Sequence, residues 1–363
     1  MKINLVKNEN KFFEKNLFKS FKKNLNTAKF ILGPDVQKLE KNLCLYTGSK
    51  NCITTSSGTD ALLLSLMVIN IKPGDEIITT PFTWISNAEV IRLLGAKIVF
   101  ADIDKDTFNI NPELVNKKIT KKTKAIIAVS LFGQCADLFG LKKICKRNKI
   151  YLIEDAAQSF GAKINQSFSC NVADISCTSF FPTKILGCLG DGGACFTNNQ
   201  TIAKKIKMLR NHGKDNKGEF KFIGINGRLD TIQASFLISK LKKLNILIKN
   251  RINSAKLYNK NLKPLNKYIE TPYINKKFLS VYSQYTIKVN YKRNKLFKYL
   301  KSKNIDVKIF YKPIYKNQAY KTINSNFKIC EEVSKKVISL PMSSSISKSH
   351  QLYIVNCIKK FYE

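Results

Sequence analysis

"SFFPTKILGCLGDGGACF", Ser179 to Phe196, sets one lysine between a short aromatic run and four glycines, in a neighbourhood with little other charge. Apolar, β-prone residues predict strands over 175–181 and 193–198, and the glycines between them mark a turn where backbone approaches closely. The immediate neighbours of Lys184 are apolar or small. Its ammonium is therefore poorly solvated, and its pKa falls toward the range where the amine is a nucleophile, as Schiff-base chemistry requires. The alternative is a solvated loop lysine, in a chain that carries 63 basic residues.

Working outward, residues 50–200 alternate short apolar runs with amphipathic stretches, the pattern of a βαβ series and a mainly parallel sheet. Further strands are predicted at 52–56, 76–80, 97–103, 124–132 and 150–155. Helices fall between them in "TDALLLSLMVIN", "SNAEVIRLLG", "PELVNKKI" (opened by Pro112) and "ADLFGLKKICKRN". A long helix with apolar positions from Leu229 to Leu244 follows "GINGRLD", and after it the character changes. Residues 283–363 read as strand ("QYTIKV"), helix ("RNKLFKYLKSKN"), strand ("IDVKIFY", 305–311) and then helices. The expected fold is α/β: a large domain over 1–245 with an N-terminal arm, and a smaller α+β domain over 246–363.

At 363 residues, with 44% hydrophobic and 24% charged residues, the composition is globular. No uninterrupted apolar run is long enough to span a membrane, and "MKINLVKNENKFFEKNLFKS" lacks a signal core. A cytoplasmic protein with no membrane partner is expected. The ten cysteines include no C-x-x-C pair and only two histidines accompany them, so reduced, buried thiols and no metal are expected. A net charge of +38 raises nucleic-acid binding. Only six of the basic residues are arginine, however, and the lysines are scattered; no nucleic-acid partner is expected.

Asp155 closes the apolar strand of "YLIEDAAQSFGA", at the carboxyl end where ligands bind in open parallel sheets. Its other reading is a helix cap. In "TTSSGTDALLLSL", hydroxyl residues and Gly58 run into a helix, so free N–H groups and the helix dipole converge where an anion fits. Ordinary N-caps look the same. The glycines after Lys184 lack G-K-[ST], and no G-x-G-x-x-G follows the first strand, which excludes a P-loop and a dinucleotide fingerprint.

"SSGTDALLLSL", "GDEIITTPFTW", "DIDKDTFNINPE", "TKAIIAVSLFGQCADL", "IEDAAQSFGA", "RNHGKD" and "GINGRLDTIQASFLISKL", with the Lys184 segment, resemble in order the DegT/DnrJ/EryC1/StrS family. These are pyridoxal 5'-phosphate-dependent nucleotide-sugar aminotransferases, and the resemblance runs from about residue 30 to about 345. It implies the fold type I transferase architecture. It implies Lys184 as the lysine that condenses with the cofactor and moves the proton, and Asp155 as the carboxylate facing the pyridine nitrogen. Gln158 is implied at the phenolic oxygen, Gly58, Thr59 and Ser179 at the phosphate, and Trp84 on the ring face. Asn226 is implied to reach the phosphate of a neighbouring subunit, giving a homodimer with shared active sites. Relatives in which histidine replaces the lysine are sugar dehydratases; the lysine here implies transamination.

Within the family, "SCNVADISCTSFFPTKILGCLGDGGACFTN", "QCADL" and "VYSQYTIKV" are most similar to enzymes that aminate C3 of UDP-linked 2-acetamido-3-oxo-glucuronic acid, with L-glutamate as donor, for surface polysaccharides. Where the family commonly has His-Tyr-Pro, this chain has Phe310, Tyr311 and Lys312, which removes an imidazole expected at the sugar or nucleotide. Arg228 is a candidate partner for a substrate carboxylate or phosphate, or else forms a helix N-terminal salt bridge. The competing readings are a C3 or C4 aminotransferase of a 6-deoxy ketohexose, a sugar-sensing regulator, and a basic nucleic-acid binder.

Overall fold

The computed structural model describes residues 13–321 and 327–363. The first twelve positions, where the N-terminal arm and the tested signal region begin, lie outside the described residues, as do positions 322–326.

Five strands alternate with helices at the start of the main sheet: β1 (Asn51–Thr55), β2 (Glu76–Thr79), β3 (Lys97–Phe100), β4 (Thr123–Val129) and β5 (Tyr151–Asp155). A short hairpin, β6 (Lys163–Ile164) and β7 (Ser167–Phe168), precedes β8 (Ile175–Ser179) and β9 (Gly193–Thr197). The seven-stranded sheet has the order β1-β9-β8-β5-β4-β2-β3. Strands β2 to β5 and β8 pair in parallel, whereas β9 runs antiparallel to both β1 and β8. The reason lies in the Lys184 segment. A parallel return needs a crossover, usually a helix, and none forms between β8 and β9, so the chain doubles back.

Period-2 alternation feeds the two faces. Ile126 and Leu152 enter one apolar cluster, while their neighbours Ile127 and Ile153 enter the other. The helices Pro34–Thr47 and Thr231–Leu241 cover the first face, and Gly58–Val68 and Gln200–Leu209 the second. A third cluster joins Tyr258, Tyr285, Ile287, Leu300 and Ile358 around a small antiparallel sheet, β10 (Ile269–Glu270), β12 (Tyr285–Val289) and β13 (Val337–Leu340), in the order β10-β12-β13. Strand β11 (Phe278–Leu279) instead pairs with β6.

All seven strands expected up to residue 198 are present, within a few residues of the expected ends. The expectation over 305–311 is corrected. Only Lys308 pairs there, in a bridge to Ser339, and the strand lies at 337–340, where helix was expected. The chain leaves the flank of β13 at once because Ile314 is buried in the second cluster and donates its N–H to Pro81 O at 2.9 Å. That departure carries Phe310 and Tyr311 to the carboxyl edge of the main sheet.

Strand β1, which delivers Ser57 and Gly58, is held by a nearly buried ion pair. Arg210 Nη1 lies 2.7 Å from Glu40 Oε1 and 2.9 Å from Thr54 O, and Glu40 also accepts the Thr54 N–H and hydroxyl, each at 2.9 Å. Removing one partner strands the other charge. Glu40→Ala is expected to lower the unfolding free energy by about 3 kcal/mol in denaturant titration; a loss under about 0.5 kcal/mol would place the pair outside the stabilising core.

Candidate active site

The carboxyl ends of β1, β2, β4, β5 and β8 open onto one edge, and the loops there carry the candidate residues. Lys184 sits in a tight turn after β8, with its N–H on Phe181 O at 2.8 Å and Cys188 N–H on Phe180 O at 2.7 Å. Gly187 permits this turn, since a Cβ there would lie 2.6 Å from Pro182 O. Burial pushes the Lys184 amine below the ordinary 10.5, and the Asp155 carboxylate partly opposes that fall. The two groups therefore share one electrostatic environment.

Asp155 ends β5 and is buried. Its Oδ1 accepts from Ala157 N–H at 3.0 Å and its Oδ2 from Asn87 Nδ2 at 2.8 Å, so a turn bond and a second donor fix it together, and no helix follows for it to cap. Asn87 is fully buried, and its Oδ1 has no protein partner. Behind it, Glu154 points to the opposite side of the strand, where Ser130, Ser169 and Ser176 hydroxyls and the Cys170 N–H donate to it at 2.8 to 3.1 Å. Burial raises the Glu154 pKa, and these donors pull against that shift. Sequence reasoning missed both Asn87 and Glu154; the "ED" pair was the available signal for Glu154, whereas Asn87 comes from a distant helix.

Gln158 is buried, with Oε1 accepting from Phe132 N–H and Nε2 donating to Tyr311 Oη, both at 2.9 Å. Ser57 caps the helix Gly58–Val68, its side chain accepting from Asp60 N–H at 3.0 Å. Gly58 begins that helix directly against Ser179, where a Cβ would come within 2.7 Å of the serine Cβ. Thr59 Oγ1 lies 3.0 Å from Ser86 Oγ. The cradle is thus a helix N-terminus narrowed to what glycine allows. Trp84 is 59% exposed and meets Tyr311 edge-on, with centroids 6.4 Å apart. Phe310 packs beside Tyr311.

Two expected residues flank Gly227, whose O accepts the Ser56 N–H at 2.9 Å beside the cradle. Asn226 is exposed and bridged through its backbone to Asn211. Arg228 donates from Nη1 to Asn211 Oδ1 at 2.6 Å, so it pairs with an amide and not with a helix-terminal carboxylate; its Nε is buried with no partner. All ten cysteines are free, and nine are buried. Among the described residues no helix is long and apolar enough to cross a membrane.

A destabilised amine, a fixed carboxylate and a glycine-lined helix N-terminus on one sheet edge fit pyridoxal 5'-phosphate. The fold and site define a pyridoxal-phosphate-dependent aminotransferase of fold type I. The chain belongs to the DegT/DnrJ/EryC1/StrS aminotransferase family, which it matches over residues 12–359. It is 42% identical over 319 residues, 88% of each chain, to a UDP-2-acetamido-2-deoxy-3-oxo-D-glucuronate aminotransferase of Pseudomonas aeruginosa. It is 37% identical, over 93% of its length and 92% of the other's, to a pleiotropic regulatory protein of Geobacillus stearothermophilus. A DegT DnrJ EryC1 StrS aminotransferase from Brucella abortus superposes with a TM-score of 0.93 at 34% identity, covering 99% of each chain.

The lowered lysine pKa has a measurable sign. A charged amine forced into this site costs stability fully below the folded pKa, and the cost fades as pH rises to 10.5, where the unfolded chain also loses the proton. Lys184→Met is therefore expected to melt higher than the cofactor-free parent at pH 7, with the gap closing above about pH 10.5; equal melting temperatures at pH 7 would contradict the desolvation.

Proposed function

We propose that the protein transfers the amino group of L-glutamate to C3 of UDP-linked 2-acetamido-2-deoxy-3-oxo-glucuronic acid, supplying a diaminouronic acid for surface polysaccharide such as O-antigen. The observation that carries the chemistry is the shared environment of Lys184 and Asp155; support for the sugar comes from the Pseudomonas relative's substrate. Bound here, pyridoxal phosphate supplies an electron sink that stabilises the donor Cα as it loses its proton. Lys184 would hold the cofactor and, once the donor amine has displaced it, its free amine would move the Cα proton, which an ammonium cannot do. Asp155 keeps the ring nitrogen protonated, and Asn87 holds Asp155 in place. Gln158 serves the phenolic oxygen, Gly58, Thr59 and Ser179 hold the phosphate, and Trp84 covers the ring.

The assembly we propose is a homodimer in which Asn226 completes the phosphate site of a second copy. Two features support it: the Asn226 side chain is exposed, and the preceding loop exposes Phe220, Phe222 and Ile223, the last by 93%. The third apolar cluster supports the division into units 1–245 and 246–363. Ten free thiols suit the reducing cytoplasm. Arg228, whose guanidinium meets Asn211 Oδ1 through Nη1, is the proposed partner of the uronate carboxylate, and Phe310 and Tyr311 are the proposed contacts on the sugar side. The regulatory relative keeps a sensing role in view; glutamate-driven turnover separates the two.

The test is a single-turnover assay of glutamate-loaded protein against UDP- and dTDP-ketosugars, reading which sugar restores the aldehyde form of the cofactor. The 3-oxo-glucuronate is expected to do so, and Arg228→Gln to slow it by about tenfold or more while sparing 6-deoxy sugars. Failure with every uronic acid would overturn the substrate. Unchanged turnover in Lys184→Ala would overturn the mechanism.

A further inference from the structure

The orientation of the Gln158 amide follows from its partners. A backbone N–H only donates, so the end that meets Phe132 N–H is the oxygen, and Nε2 faces the other way. Of the two Nε2 hydrogens, one is used on Tyr311 Oη at 2.9 Å. One hydrogen is left. The phenol that accepts the first is itself clamped: its ring stacks on Phe132 at 6.1 Å and 10°, and meets Phe82 edge-on at 6.2 Å and 81°. Phe132 therefore touches both ends of the arrangement, its N–H on the glutamine and its ring on the tyrosine. Its φ of 55° is rare for a residue with a side chain. Backbone, amide, hydroxyl and two rings form a closed circuit that joins the segment after β4, the end of β5 and the segment arriving from the small sheet.

We infer that Tyr311 is a positioning residue that acts through Gln158: its hydroxyl locks the amide so that the remaining N–H is held for the phenolic oxygen of the cofactor. The inference rests on the functional reading above and deepens it. Burial raises the Tyr311 hydroxyl above its ordinary 10, the Gln158 N–H opposes this, and the nearby Asp155 charge adds to it. The hydroxyl thus stays neutral at working pH and continues to accept from the amide. Asp155 is the charged group whose field reaches Tyr311, and the same field reaches Lys184. A donor held on the phenolic oxygen stabilises that oxygen's negative charge and so lowers the proton affinity of the nitrogen bonded to the cofactor. Losing the lock loosens the donor and raises that affinity.

The test titrates the visible absorption of the cofactor-loaded protein with pH. Tyr311→Phe keeps the ring contacts and removes only the hydroxyl. Its absorption midpoint is expected to rise by about half to one pH unit relative to the parent. In a Gln158→Ala background the same substitution is expected to add no further shift, because the residue through which it acts is gone. A midpoint unchanged by Tyr311→Phe overturns the inference, and so does an equal shift in both backgrounds, which would mean direct action. If the parent takes up no borohydride-reducible cofactor, the functional reading fails and the inference falls with it. If it takes up cofactor and titrates while Tyr311→Phe leaves the midpoint in place, only the inference fails.

Discussion

One amine and one carboxylate in a poorly solvated pocket constrain the rest of the architecture. Lys184 is held where burial disfavours its charge and Asp155 opposes that effect, which is the pairing the proposed chemistry uses: an amine more readily neutral, beside a carboxylate. To present both, the chain must end two neighbouring strands, β5 and β8, on the same edge, and it must leave β8 without a helical crossover. The antiparallel β9 is the consequence, and it returns between β8 and β1 and so seats the Gly58 helix against Ser179. The cradle and the lysine are thus products of one reversal of chain direction.

The pocket is braced by polar groups whose own burial is costly unless they are satisfied. Glu154 receives four donors from three separate stretches, Asn87 ties a helix to Asp155, and Phe132 ties the segment after β4 to Gln158. Such networks fix geometry more than they add stability. Here they hold neighbouring strand ends rigid behind a site that has to place reacting atoms closely.

The strands of the main sheet were legible because apolar runs bounded by turn residues survive any choice of side-chain detail, whereas Lys184 and Asp155, each open to a plain loop or capping reading alone, gained their roles from the ordered set of motifs around them. The inserted β9 was not legible, since nothing in "GACFTN" distinguishes a parallel from an antiparallel partner. The 305–311 segment has the composition of a strand, but a tertiary contact, Ile314 to Pro81, removes it from the sheet. Asn87 could not be found from local pattern: its link to Asp155 spans 68 residues. The Gln158 to Tyr311 bond, across 153 residues, is of the same kind, and it joins two residues that the sequence offered separately.

The central claim is that a single lysine among 63 basic residues carries the cofactor. Reducing the loaded protein with borohydride and mapping the labelled peptides by mass spectrometry tests it most directly. One phosphopyridoxyl group on Lys184, lost when glutamate is added before reduction, is the result this account predicts. Label at another lysine, or label that glutamate leaves unchanged, would contradict it.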